Sequence, residues 1–207
     1  MKPSVLVTCP DYDRMTRYLS VWAEKLMNEV QVHGNEVYTL KEAEVVRDKF
    51  ESFVKKMQPA FLFINGHGAA DRIAGHDHEI ILDKDNVGLL KGKIVYALSC
   101  QSAKELGPLA KQAGALGYIG YSENYYLASQ PSKTAHPQDD TTAALFLEPS
   151  NVIANAITKG HTPEQATEKG RSAYTKSIQQ AYNSDIQSDD DKYIPYLLWN
   201  RKYLTVC

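Results

Sequence analysis

Cysteine is scarce in this chain: three among 207 residues, at positions 9, 100 and 207. A small secreted fold stapled by disulfides draws on an even and denser set, so that class is set aside. Long apolar runs are missing as well. No stretch approaches the ~20 consecutive apolar residues that a membrane-spanning helix needs. The opening Met1-Lys2-Pro3 leads directly into a strand-like run, without the pattern of a secretory signal. Neither sign of charge is in excess: 23 Lys and Arg stand against 25 Asp and Glu, for a net charge of -2. That balance gives no electrostatic basis for binding nucleic acid or a membrane surface. Internal repeats and low-complexity linkers are absent too. The expectation is one cytoplasmic, reduced domain over 1–207, needing no metal and no cofactor. What is present is a 43% hydrophobic content, enough to build an α/β core.

The apolar pattern alternates between strand and helix. Ser4 to Cys9 reads as a strand stopped by Pro10. Met15, Leu19, Trp22, Leu26 and Val30 then recur at helical spacing, and Glu36 to Leu40 is a second strand. A second helix carries Ala43, Val46, Phe50, Phe53 and Met57, and a third strand begins at Phe61. This β-α-β-α-β order predicts a parallel sheet. Asp71 to Leu82 reads as a small hairpin around Gly75-His76-Asp77-His78. A strand from Lys93 to Ser99 follows, then a helix beginning directly after Cys100 and marked by Ala103, Leu106, Ala110 and Ala113. Ala115 to Tyr121 is the fifth strand, and 122–138 is irregular. Helices are expected at 141–147 and, past Pro149, at 151–159. Another starts at Thr162-Pro163-Glu164-Gln165, a capping box with proline at the first position. The stretch 184–191 reads as a polar loop, and 203–206 as an edge strand.

Two strands end in reactive side chains: Phe61-Leu62-Phe63-Ile64-Asn65-Gly66-His67-Gly68, and Lys93-Ile94-Val95-Tyr96-Ala97-Leu98-Ser99-Cys100. The C-terminal edge of an open parallel sheet is where sites form. A cysteine attacks as its thiolate and at neutral pH needs help to become one. The start of the following helix and His67, as general acid and base, are the two aids. The backbone N–H groups of Gly68 and Cys100 are the candidate oxyanion hole. Each residue also has a plain reading. Cys100 can be a small buried hydrophobe, and His67 a structural loop residue. His76, Asp77 and His78 raise a metal, but alternate turn residues diverge and no second ligand cluster accompanies them. Cys9 is followed by Pro10, and Cys207 is terminal. Tyr121, Tyr125 and Tyr126 either line a groove or close the edge of the core.

The order strand-His67-Gly68, then strand-Ser99-Cys100, resembles the caspase-like cysteine peptidases. The closer likeness is to the CHAT-type branch near separase and gingipain. It is carried by Asn65 to Gly68, Ala97 to Ser102, Gly114-Ala115 leading to Gly120-Tyr121, and the late segments 154–166 and 195–199. The resemblance implies an α/β three-layer sandwich, a mostly parallel sheet of about six strands flanked by helices. It implies a His67–Cys100 dyad cleaving peptide bonds, with protein or peptide substrate and a regulatory protein as partners. It places Ser122, Glu123 and Asn124 near a substrate added as a β-strand. Asp11 and Asp13 stand where relatives that cleave after Arg or Lys carry a specificity-pocket acid; both equally suit the start of a helix. The caspase Gln-Ala-Cys-Arg-Gly signature is not matched by Leu98-Ser99-Cys100-Gln101-Ser102. A silent interaction module of the same fold is the first alternative. A glutaminase-type hydrolase is the second, disfavoured because its histidine follows the cysteine.

Overall fold

The computed structural model describes residues 2–183 and 190–207. Six strands form the main sheet, in the spatial order Val37–Lys41, Val5–Cys9, Phe61–Asn65, Ile94–Leu98, Gly117–Tyr121 and Leu204–Val206. β1 (Val5–Cys9), β2 (Val37–Lys41) and β3 (Phe61–Asn65) come first. A second, three-stranded antiparallel sheet follows: β4 (His67–Ala69), β5 (Arg72–Ala74) and β6 (Ile80–Leu82). The chain then returns to the main sheet with β7 (Ile94–Leu98), β8 (Gly117–Tyr121) and β9 (Leu204–Val206). All main-sheet pairs are parallel except the last, where β9 runs antiparallel to β8. The helices are α1 (Arg14–Val32), α2 (Arg47–Met57), α3 (Leu106–Gln112), α4 (Thr141–Thr158), α5 (Pro163–Asn183) and α6 (Ile194–Tyr203).

The pleat explains the layers. Successive strand residues face opposite sides, and both sides of this sheet are covered. Val5, Val7, Phe61, Phe63, Tyr96, Leu98, Ile119 and Tyr121 pack into one core with α1, α4, α5 and α6 residues such as Trp22, Phe146, Tyr174 and Leu197. Leu6, Leu62, Ile64, Val95, Ala97 and Tyr118 pack into the other core with Phe50 and Val54 of α2, Leu106 and Ala110 of α3, and Ile73, Ile81 and Leu82 of the small sheet. Strands buried on both faces read as unbroken apolar runs, which is why β1, β3 and β7 stand out in the sequence. The architecture is the expected three-layer α/β sandwich.

Four local expectations change. The 141–159 region is one helix through Pro149, not two. Burial of α4 between the sheet and α5 outweighs the cost of about 3 kcal/mol that an interior proline carries. Gly170 of α5 brings those two helices together: a Cβ there would lie 2.4 Å from Ile153 Cγ1. The second helix starts at Arg47, after a 3-10 turn at Glu42–Glu44, so Ala43 and Val46 precede it. The expected hairpin is the β5–β6 part of the small sheet, which also takes in the histidine strand β4. The helix after Cys100 begins only at Leu106 and has seven residues. The capping box at Thr162 and Gln165 is present. The polar loop expected over 184–191 lies outside the described residues up to 189, and a 3-10 turn follows at Asp190–Tyr193.

Candidate active site

β3 pairs with β7 in a register that sets Asn65 opposite Leu98. Two residues further on, the chain reaches His67 on one side and Cys100 on the other. β1 and β3 have separated by this point: their ladder ends at Val7 and Phe63. The Thr8 hydroxyl replaces the missing rungs, donating to the Asn65 carbonyl and accepting from the Asn65 N–H, both at 2.9 Å. Asn65 Nδ2 donates to the Thr8 carbonyl at 2.9 Å. Both residues are fully buried, so these bonds fix the base of the histidine turn.

The two flanking glycines are required by close approach. A Cβ on Gly66 would lie 2.1 Å from the Ala74 carbonyl oxygen. A Cβ on Gly68 would lie 2.4 Å from the Cys100 carbonyl oxygen and 3.1 Å from the Cys100 nitrogen. No side chain fits where such contacts fall below van der Waals separation. Gly68 therefore packs directly against the Cys100 backbone and brings the histidine strand beside the cysteine loop. Gln101, next in the chain, holds a left-handed backbone at φ 56°. Left-handed non-glycine residues are strained and concentrate at functional sites.

His67 Nε2 hydrogen-bonds Asp13 Oδ2 at 2.6 Å. That leaves Nδ1 as the ring nitrogen available for proton transfer. Asp13 also caps α1: Oδ1 accepts from the Thr16 N–H at 2.8 Å. Burial alone would raise the Asp13 carboxyl, but the Thr16 N–H, His67 and the Thr16 hydroxyl together hold it below its ordinary value. The His67 ring also faces His78, centroid to centroid 5.4 Å, and Tyr12 at 6.0 Å. Tyr12 hydroxyl and His78 Nδ1 are 3.2 Å apart. His78 and Asp77 both have positive φ, 61° and 49°, which turns this segment toward the tyrosine. Among the described residues no group of three His, Cys, Asp or Glu side chains is arranged to hold a metal ion.

Cys100 is half-buried, and its sulfur donates to the Tyr125 carbonyl at 3.8 Å. Burial pushes the thiol up. The hydrogen bond with the Tyr125 backbone acts in the opposite direction, and burial prevails. The helix-start assistance expected from the sequence is not available here, since α3 begins six residues later. The structure thus brings together His67, Asp13, Gly68 and Cys100. Asp11 stands apart, 3.9 Å from Arg17 in an exposed ion pair.

Ser122, Glu123 and Asn124 lie along the cysteine loop and are already engaged. Ser122 N–H donates to the Tyr203 carbonyl at 3.0 Å. The Glu123 carbonyl accepts from Gln101 N–H at 3.1 Å, and its carboxylate lies 3.5 Å from Lys104. Asn124 Oδ1 accepts from Gln101 Nε2 at 2.9 Å. Tyr121 and Tyr125 are core residues, their rings 4.9 Å apart, while Tyr126 stays at the surface. Sequence reasoning missed Tyr12 and His78 as neighbours of His67, and Tyr125 as the partner of Cys100. Tyr12 adjoins Asp13 in the chain; a backbone carbonyl leaves no signal in a sequence. The cavity of about 390 Å³ between Pro3, Leu26, Asn35 and Thr158 lies at the opposite edge of the sheet, away from His67 and Cys100.

The His67 and Cys100 ends lie at the C-terminal edge of the parallel strands, in a fold similar to that of solved cysteine proteases. Among solved structures, the complex of the pro- and mature domains of Porphyromonas gingivalis RgpB is similar, with TM-score 0.64, 10% identity, and coverage of 99% of this chain and 47% of that chain. The Arg-specific cysteine proteinase gingipain R gives 0.56, 12%, 98% and 45%. A secreted C11 cysteine protease from Bacteroides thetaiotaomicron, in complex with an irreversible peptide inhibitor, gives 0.53, 14%, 85% and 59%. The chain spans about half the length of these structures. No family model matches the sequence, and no curated protein matches it.

Proposed function

We propose that the protein is a cysteine endopeptidase in which Cys100 is the nucleophile and His67 the general acid and base. One observation carries the reading: His67, backed by Asp13 at 2.6 Å, leads a strand that Gly68 packs onto the Cys100 backbone. A base oriented by a third group beside a nucleophile is the arrangement that acyl transfer needs. In the reaction, His67 Nδ1 removes the thiol proton and the sulfur bonds to the peptide carbonyl carbon. The carbonyl oxygen becomes an oxyanion, facing the Gly68 and Cys100 N–H groups. Collapse breaks the C–N bond, and His67 gives its proton to the departing amine. Water then attacks the thioester with His67 as base, releasing the carboxylic acid and restoring the thiol.

The fold likeness to an Arg-specific proteinase and to an inhibitor-bound C11 protease supports a peptide substrate. Ser122, Glu123 and Asn124 would border that substrate, and Asp11 is the acid left for a basic side chain. A regulatory protein partner fits a neighbour that forms a complex of pro- and mature domains. Three free thiols suit a reducing cytoplasm. The test is labelling of the protein by a peptide acyloxymethyl ketone. Cys100→Ala and His67→Ala are expected to abolish it, and labelling unchanged by both would sink the proposal.

A second reading has its own support. The Cys100 sulfur rests on Tyr125 rather than on His67, as a silent interaction module of this fold would allow. Structures with and without a bound substrate analogue separate the two. Sulfur and Nδ1 come within hydrogen-bond reach in the peptidase and stay apart in the silent module.

A further inference from the structure

The peptide that holds the Cys100 thiol is itself held by one buried side chain. Asn200 of α6 is fully buried. Its Nδ2 donates to the Tyr126 carbonyl at 2.8 Å, and its Oδ1 accepts from the Tyr126 N–H at 3.0 Å. One carboxamide thus takes both polar backbone groups of a single residue, as a neighbouring strand would. The preceding turn of the chain is tied to the same helix, because Trp199 Nε1 donates to the Asn124 carbonyl at 3.0 Å. Between these two anchors lies Tyr125. Its ring is buried, and its hydroxyl donates to the Phe146 carbonyl at 3.2 Å. Residues 124, 125 and 126 are therefore fixed one after another, with the Tyr125 carbonyl aimed at the sulfur.

We propose that Asn200 is a positioning residue for Cys100: through Tyr126 it fixes the Tyr125 peptide on which the thiol rests, and so sets where the sulfur sits. This deepens the reading of Cys100 as a nucleophile and rests on it. α6 acts on the cysteine without touching it. Any event that shifts α6 frees the sulfur from its carbonyl and lets it turn toward His67. Without the clamp the thiol gains access to water, and relief of burial, the larger influence on Cys100, favours the thiolate.

The experiment is iodoacetamide alkylation of the full chain from neutral to strongly alkaline pH, resolved by mass spectrometry at each cysteine. Cys207, half-buried and bonded at its sulfur to the Ala103 carbonyl, is the internal reference. The other ionisable groups around Cys100, namely His67, Tyr125 and the Lys104–Glu123 pair, are left unsubstituted. Asn200→Ala is expected to raise the Cys100 to Cys207 rate ratio by about tenfold and move the Cys100 pH midpoint downward. Trp199→Phe keeps an aromatic side chain of smaller size, loses the hydrogen bond to the Asn124 carbonyl and is expected to raise the ratio about threefold. If melting shows that Asn200→Ala does not fold, Trp199→Phe decides. A rise of less than about twofold with no shift of the midpoint in the folded variants overturns the proposal. Alkylation requires no peptide substrate. Raised alkylation in a protein that cleaves no peptide would therefore uphold Asn200 while rejecting the peptidase reading.

Discussion

Replacing Asp13 with asparagine separates two jobs that one carboxylate performs. Oδ1 caps α1 through the Thr16 N–H, and Oδ2 holds His67. Asparagine keeps a cap acceptor but removes the charge facing the imidazole. A charge-assisted hydrogen bond contributes roughly 1.5–3 kcal/mol. Both side chains here are 35% exposed, so solvent screening lowers this to about 1–2 kcal/mol. At about 1.4 kcal/mol per factor of ten, the expected loss in acylation rate is about 5- to 30-fold, with a smaller fall in melting temperature than in Asp13→Ala. Asp13→Ala loses both contacts and is expected to show the same rate loss plus about 1 kcal/mol of destabilisation from the missing cap. The assay is the rate of covalent labelling by the electrophilic peptide, read beside thermal melting. Asp13→Asn labelling at the parental rate would remove Asp13 from the chemistry. A rate loss that appears only together with lost stability would reduce it to a cap.

Three further outcomes follow from the same geometry. Asp13 is held below its ordinary carboxyl value in the folded protein, so its stabilisation is complete above the unfolded value of about 4 and is lost as pH falls through the folded value. Urea midpoints measured across that acid range should fall less steeply in Asp13→Asn than in the parent; equal slopes contradict the assignment. Gly68→Ala places a Cβ 2.4 Å from the Cys100 carbonyl oxygen. It is expected to destabilise by about 1–3 kcal/mol and to cost more than about tenfold in labelling, and a variant with parental melting and labelling would show the contact to be loose. Thr8→Val removes the hydroxyl that serves both the N–H and carbonyl of Asn65. A buried, unsatisfied Asn65 N–H costs about 1–3 kcal/mol, readable as a lowered denaturation midpoint.

Much of the frame was legible because both faces of the sheet are covered. Burial on both sides turns β1, β3 and β7 into unbroken apolar runs, and the helices between them keep a 3.6-residue period. The positions of His67 and Cys100 follow from those runs, since each residue stands just past a strand end. Local signals failed where long-range contacts decide. Pro149 marks a break by itself, yet packing against the sheet and α5 keeps α4 whole. The spacing of Ala103 and Leu106 continues back from α3 to the cysteine, but the chain there makes turns that hydrogen-bond the 121–123 segment instead. Asp13 is a good helix cap in sequence and is one in the structure. Its second contact, 54 residues away on β4, becomes visible only when β1 and β3 lie side by side. Asn200 gives no sequence signal at all, because a carboxamide bonding a distant backbone looks like any polar residue in a helix.

Peptide-bond hydrolysis at Cys100 is the property from which every role assigned to His67, Asp13 and Gly68 follows. The most direct measurement is incubation of the parent, Cys100→Ala and His67→Ala with an unbiased peptide library, with new termini identified by mass spectrometry. The expected result is a consistent side-chain preference at cleavage sites produced by the parent and no cleavage by either variant. Cleavage by Cys100→Ala at the parental rate, or none by the parent once it has been shown to label with the electrophilic peptide, would contradict it.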